Sequence, residues 1–199
     1  VGDIKYVDRN GDGVISYEQD RGYVGAAAYP KFVGGLSFSG DWKGIDLSFL
    51  FQAGLGRDVA LTGVYSGGIM DNTQMTKPFY HRGNSPKYLV ENSWREDNTN
   101  AEFPRLSIVQ ASSNNAYSST FWYRSGDYLR LKNLQIGYTF PQKWMSRIGI
   151  DRLRIYFEGQ NLWTVSELTK FNIDPEQPGV SNGYYPQQRI FSFGVNLAF

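Results

Sequence analysis

Residues 31–55 read KFVGGLSFSGDWKGIDLSFLFQAGL. Phe32, Leu36, Phe38 and Trp42 fall on one parity, with Gly34 and Gly40 between them, while Ser37, Ser39 and Asp41 fall on the other. After Lys43-Gly44 the alternation resumes, with Ile45, Leu47, Phe49, Phe51, Ala53 and Leu55 set against Asp46, Ser48, Leu50 and Gln52. Successive side chains of an extended chain point to opposite sides, so a period of two marks a strand with one apolar face. The pattern predicts two long strands joined by a very tight turn.

The same pattern returns later in the chain. In DYLRLKNLQIGYTFP, residues 127–141, Leu129 and Leu131 share one parity, whereas Leu134, Ile136, Tyr138 and Phe140 share the other. The phase slips at Lys132-Asn133, which predicts a β-bulge, and Pro141 stops the strand. DRLRIYFEGQNLW, residues 151–163, puts Leu153, Ile155, Phe157 and Trp163 opposite Arg154, Tyr156, Glu158 and Gln160. RIFSFGVNLAF, residues 189–199, puts Phe191, Phe193, Val195, Leu197 and Phe199 opposite Ser192, Gly194, Asn196 and Ala198. Residues 56–125 lack sustained alternation, and a loop of that length is usually functional or disordered. Within it, PKYLVENSWRE at residues 86–96 has the spacing of a short helix. Residues 164–187 form a second long connection, rich in Pro, Gly and Asn.

Composition agrees with β-structure. Aromatic residues make up 16% of the 199, including 14 Tyr and 13 Phe, and there are 22 Gly. A net charge of +1 gives no field that would attract nucleic acid. With no Cys, a disulfide framework and a thiolate metal site are both excluded. No run of about 18 apolar residues offers a transmembrane helix.

A soluble sandwich and a membrane barrel both use alternating strands. Strands this long exceed the usual five or six residues of soluble sheets. The connections alternate between very short and very long, and the aromatics gather toward strand ends, as in outer-membrane barrels. The opposite faces carry Asp, Glu, Arg, Gln and Ser, which suit a wet lumen. The fold class expected is therefore all-β, the C-terminal strands of a large transmembrane antiparallel barrel. Five strands cannot close one, since the smallest have about eight. Short turns would then face the periplasm at residues 42–44 and 141–150. Residues 1–30, 56–125 and 164–187 would lie outside the cell.

DRNGDGVISYEQD, residues 8–20, resembles an EF-hand calcium loop. Asp8, Asn10 and Asp12 stand at loop positions 1, 3 and 5, and Gly13 stands at position 6, where the chain must turn sharply. Position 12 is Gln19 in place of the usual bidentate Glu, so Asp20 is the candidate to replace it. The expected calcium ligands are Asp8, Asn10, Asp12, the Val14 carbonyl, Ser16 and Asp20, in a structural site that stiffens a loop. The bland reading is an Asn/Asp/Gly turn without metal.

Taken together, these stretches resemble the C-terminal region of SusC/RagA-type TonB-dependent transporters of Bacteroidetes. The resemblance is carried by GDIKYVDRNGDGVIS (2–16), YPKFVGGLSFSGDWKGIDLSFLFQ (29–52), WREDNTNAEFPRL (94–106), SGDYLRLKNLQIGYTFP (125–141), LRIYFEGQNLWT (153–164) and YPQQRIFSFGVNLAF (185–199). Residues 57–85 match no family pattern. The resemblance implies a barrel of about 22 strands with a plugged lumen, set in the outer membrane lipid of a Gram-negative cell. It implies coupling to the TonB complex through an N-terminal part not in this chain. It also implies a SusD-like surface lipoprotein as a lid, and import of glycan or peptide cargo. The residues that bind cargo are unknown from sequence.

No convergent acid, base and nucleophile is present, so no enzyme activity is expected. His81 stands alone, which excludes a His-based metal cluster or triad. Glu96 and Asp97 read as a solvated pair of loop carboxylates. Tyr65, Tyr80, Trp94, Tyr117 and Trp122 have rings that suit stacking on sugars, but internal packing is the commoner use of such residues. Arg130, Lys132, Arg152 and Arg154 are read as lumen wall or girdle, and Phe199 as part of a C-terminal assembly signal. The alternative to the importer is a secreted, calcium-stabilised β-domain that binds glycans, whose strand faces would be buried.

Overall fold

In the computed structural model of the chain, which describes residues 1–24, 27–61, 87–106, 113–178 and 187–199, the hairpin forms as its alternation predicts. β1 (Phe32–Trp42) pairs antiparallel with β2 (Ile45–Leu55), placing Phe32 opposite Leu55 and Trp42 opposite Ile45. Lys43 and Gly44 make the turn with φ of 51° and 86°, the left-handed pair that a two-residue hairpin needs to match strand twist. The described residues divide into two compact units. One is drawn from Val1–Ala28, Asp58–Arg124 and Gln177–Tyr184, the other from Tyr29–Arg57, Ser125–Glu176 and Tyr185–Phe199.

The second unit is the long sheet. After β3 (Asp58–Ala60) and β4 (Tyr123–Ser125), which pair in a small sheet of their own, come β5 (Tyr128–Thr139), β6 (Arg152–Ser166) and β7 (Ile190–Ala198). The large sheet runs β1-β2-β5-β6-β7 with every neighbour antiparallel. It is open at both edges. β6 continues through Ser166, so the connection expected to begin at residue 164 starts slightly later, with a 3-10 turn at Glu167–Phe171.

Register puts the apolar residues on one face. Leu36, Phe51, Leu131 and Trp163 lie in one row, and Phe38, Phe49 and Leu134 in the next. Trp42, Ile45, Tyr138, Ile155 and Val195 form another row near the short-turn end. This face is open: Leu36 is 66% exposed, Phe193 83% and Val195 60%. A soluble sandwich would bury these residues. The expectation of aromatics at strand ends holds in part, because Trp42 and Tyr138 stand near one end while phenylalanines cross the middle. Phe38 stacks on Phe49 at 5.3 Å, and Phe157 lies 5.2 Å from Phe193. Indoles and phenols prefer a wet boundary, but a phenyl ring has no polar atom to keep there.

The bulge expected at Lys132-Asn133 is present. Leu50 pairs with Asn133 and Phe51 with Leu131, so Lys132 is the extra residue. β6 bulges on the same rung: Leu131 faces Trp163 and Asn133 faces Gln160, leaving Asn161 and Leu162 extra. Asn161 takes φ 52° there.

The first unit includes the described part of the long connection over residues 56–125. Its described residues have a core of Val59, Leu61, Leu89, Phe103 and Trp122, all buried. The helix expected at residues 86–96 is a single turn, α1 (Lys87–Glu91). Asn92 Nδ2 donates to Tyr88 O (2.8 Å) and Ser93 Oγ to Val90 O (2.9 Å), so side chains satisfy the last carbonyls and the helix stops. Ser93 then bridges to Phe103. In the second unit, α2 (Gln142–Met145) lies in the short connection from β5 to β6.

Candidate functional site

The polar face of the large sheet carries two groups of paired charged side chains, one toward each end. Near its short-turn end, Asp46 on β2 and Arg154 on β6 reach across β5 and meet, with Arg154 Nε 2.9 Å from Asp46 Oδ1. They meet above Gly137, which pairs with Asp46 on one side and Tyr156 on the other. A Cβ at 137 would lie 2.5 Å from Asp46 Oδ1 and 2.6 Å from Arg154 Nη2. The guanidinium also lies 4.7 Å from the Tyr156 ring centroid, a cation–π contact. In the next row stand Ser39, Ser48, Gln135, Glu158 and Ser192.

Toward the long-loop end the wall is charged and closed. Arg130, opposite Gln52 and Thr164, is buried. Its guanidinium donates to Thr164 Oγ1 (2.9 Å), Asp174 Oδ2 (2.9 Å) and Gln187 Oε1 (3.2 Å), and also meets Glu176 (3.2 Å). Lys132, on this face with Arg130, donates to Glu176 at 3.1 Å. Two cations thus face two carboxylates, and the network anchors residues 174–176 to the wall. A buried charge persists only when it is paired in this way. The reading of Arg130, Lys132 and Arg154 as wall residues agrees with this geometry, and Arg152 lies at the exposed short-turn end of β6. No sequence pattern pointed to their partners Asp174, Glu176 and Gln187.

The acidic loop lies in the other unit. Asp8 Oδ1 and Oδ2 accept from the N–H groups of Gly11 (2.7 Å) and Gly13 (2.8 Å). Asn10 Oδ1 accepts from Asp12 N–H (2.9 Å), and Asp12 Oδ1 from Val14 N–H (2.8 Å). Asp20 accepts from the N–H groups of Arg9 (2.7 Å) and Ser16 (2.6 Å). Ser16 Oγ accepts from Gln19 N–H at 3.1 Å. Gly13 has φ 82°, the turn that position 6 requires. The backbone N–H of Ser16, then that of Arg9, hold the Asp20 carboxyl below the usual carboxylate range.

Asp8, Asn10, Asp12, Ser16 and Asp20 therefore close the loop on its own backbone. Asn10 Nδ2 also donates to Asp12 Oδ2 at 2.8 Å. Among the described residues, no three His, Cys, Asp or Glu side chains are grouped to hold a metal ion. The donor set is nonetheless all oxygen, as calcium takes, and each carboxylate oxygen has a further lone pair beyond the one engaged.

Several side chains beyond the expected set hold the loop's flanks. Asn115, buried, accepts from Ile4 N–H (2.8 Å) and donates to Asp3 Oδ1 (2.8 Å). Arg105 grips Asp3 with two bonds of 2.8 and 3.1 Å, and chiefly through them the Asp3 carboxyl lies below its usual range. Of the candidate stacking aromatics, Trp122 is buried and donates to Asn115 O (3.0 Å), and Tyr117 stacks on Tyr17 at 4.8 Å. The Trp94 ring lies against Gly2. These three rings pack internally. Asp97 bonds Arg95 at 3.2 Å, and Glu96 is exposed. Tyr65, Tyr80 and His81 lie outside the described residues.

No family model matches the chain. It is 29% identical over 215 residues to TonB-dependent receptor P26 of Formosa agariphila, a match covering 100% of this chain and 20% of that protein. It is 25% identical over 197 residues to TonB-dependent receptor SusC of Bacteroides thetaiotaomicron, covering 98% of this chain and 17% of that one. The chain thus spans about a fifth of the length of the curated relatives it matches. Among solved structures, the RagAB peptide importer in its open-open state superposes with a TM-score of 0.61 at 25% identity, over 98% of this chain and 20% of that one. The chain is similar along its length to TonB-dependent receptors, and its open sheet matches part of their outer-membrane barrel. These relatives are named as receptors and importers, not as enzymes.

Proposed function

We propose that these strands form part of the wall of an outer-membrane importer. The importer moves oligosaccharides or peptides inward, is energised through TonB and is capped by a SusD-like surface lipoprotein. The observation that carries this reading is the two-faced sheet. One side presents exposed Leu, Val and Phe across five strands, and the other is lined by Asp46–Arg154, Arg130 and Lys132 with their partners. An apolar face of that extent suits hydrocarbon, and a paired polar face suits a wet lumen. The names of the relatives support the same reading. Exposure of the apolar face speaks against a secreted domain with buried strand faces.

The first test is a detergent extract of outer membranes, with the protein followed through its peptide NLQIGYTF (133–140). A far larger polypeptide that co-purifies with a lipoprotein supports the importer; a soluble species of these 199 residues alone overturns it. Growth of a deletion strain on glycans or on peptides as sole nutrient then assigns the cargo class, and undiminished growth on both removes the import role.

The acidic loop is proposed to bind one calcium ion through Asp8, Asn10, Asp12, the Val14 carbonyl, Ser16 and Asp20. The ion would supply rigidity to the loop and no chemistry. Support comes from the oxygen donor set and the glycine turn. Calorimetric titration of calcium into the solubilised protein checks it, with Asp8→Asn/Asp12→Asn as comparison. No heat from the unaltered protein leaves the loop closed by its hydrogen bonds alone.

A further inference from the structure

The short-turn end of the large sheet carries a surface that the wall does not use. α2 (Gln142–Met145) runs directly into a 3-10 turn at Ser146–Ile148. Met145 points inward and is buried, while Trp144 is 55% and Ile148 65% exposed. These two are four residues apart in successive helical turns, a spacing that brings side chains to one side. Lys143 and Arg147 have the same spacing one residue earlier, and both are exposed. Neither has a carboxylate partner among the described residues. In the neighbouring turn, the Lys43 ammonium lies 4.5 Å from the ring centroid of Trp42, which is 67% exposed. Within residues 42–44 and 141–152 four cations, Lys43, Lys143, Arg147 and Arg152, stand against the carboxylate of Asp151, with Asp41 just before the first turn and Asp46 bonded to Arg154.

We propose that this turn docks on anionic phospholipid headgroups, with Trp144 and Ile148 seated at the headgroup boundary and Lys143 and Arg147 binding phosphate. The occupant follows from two features. The exposed apolar residues lie in the connection that follows β5, at the strand end where the open face stops at Trp42, Tyr138 and Phe199. The uncompensated charge is positive, and an indole beside cationic side chains suits the boundary between hydrocarbon and anionic headgroups. This inference rests on the membrane reading of the strands.

The test reconstitutes the purified protein in phosphatidylethanolamine vesicles that contain the same mole fraction of brominated phosphatidylglycerol or brominated phosphatidylethanolamine. Bromine quenches tryptophan emission at contact, and Trp144→Phe isolates the share due to Trp144. That share is expected to be quenched more by the anionic lipid. Selectivity is expected to fall about five-fold for each cation removed, the worth of one Lys or Arg at an anionic surface. Lys143→Gln/Arg147→Gln, which keeps Trp144, is thus expected to abolish the preference. Equal quenching by both lipids, or an unquenched Trp144 beside quenched Trp42 and Trp163, overturns the proposal. Absence of quenching at every tryptophan overturns the membrane reading itself.

Discussion

At residue 137 a hydrogen atom stands where any other amino acid would place a carbon, and that vacancy lets an ion pair cross a strand. Asp46 and Arg154 belong to strands that do not touch each other, and they meet only because β5 presents no side chain between them. Gly137→Ala is expected to push them apart and lower stability by about 1–3 kcal/mol, the usual cost of an added methyl in a filled site. Unfolding in urea from detergent micelles measures this, and an unchanged midpoint would show that the pair relaxes freely. The acidic loop gives a second prediction at this scale. Asp20 has its carboxyl depressed by backbone donors, first Ser16 and then Arg9. A carboxylate held below its unfolded value stabilises the folded loop above that unfolded value, about 4. The contribution is lost as pH falls through the lower, folded value. Protection of the Arg9 and Ser16 amides from hydrogen exchange, corrected for intrinsic rate, is expected to hold at neutral pH and collapse below about pH 4. Asp20→Asn is expected to remove the pH dependence.

Among the elements, the bulge pair explains how one device was legible and its neighbour was not. β5 carries one extra residue, Lys132, so the apolar parity flips from Leu131 to Leu134 and the slip is visible in sequence. β6 carries two, Asn161 and Leu162, so Phe157 and Trp163 keep the same parity and the irregularity leaves no trace. Only the register shows it. Deleting Gln135, in the regular run of β5, is expected to send either Leu131 and Leu134 or Ile136 and Tyr138 to the wrong face. Outer-membrane yield should fall to near zero, whereas Gln135→Ala, which keeps register, should assemble. Equal yields for the two variants would mean that the strands do not hold the register described. The short helix at Lys87–Glu91 teaches a related lesson. Apolar spacing over residues 86–96 suggested more helix than forms, because Asn92 and Ser93 bond back to the helix and end it.

For the molecule as a whole, the exposed apolar face decides between soluble and membrane architectures. Leu36→Arg, near the middle of β1 on that face, is expected to cost about 2–4 kcal/mol in a bilayer. Ser39→Arg, on the polar face of the same strand, is expected to be tolerated. Comparing their assembly yields and urea midpoints tests the assignment of faces, and equal losses would count against it. Deleting Phe199 is expected to lower outer-membrane yield without altering the register of β6 and β7. Full assembly of the truncated chain would remove the C-terminal signal from the reading.

Alternation by itself determined the strands, their two faces, the β5 bulge and the wall positions of Arg130, Lys132 and Arg154, because side-chain direction in extended chain depends only on parity. The DxNxDG spacing likewise showed a closed acidic turn, since its hydrogen bonds join residues two to five positions apart. Only the tertiary structure decided what meets across long separations. Asp46 with Arg154, Arg130 with Asp174 and Gln187, and Asn115 with Ile4 are 108, 44, 57 and 111 residues apart. Such partners are chosen by register and by loop packing, and neither leaves a periodic mark on the chain.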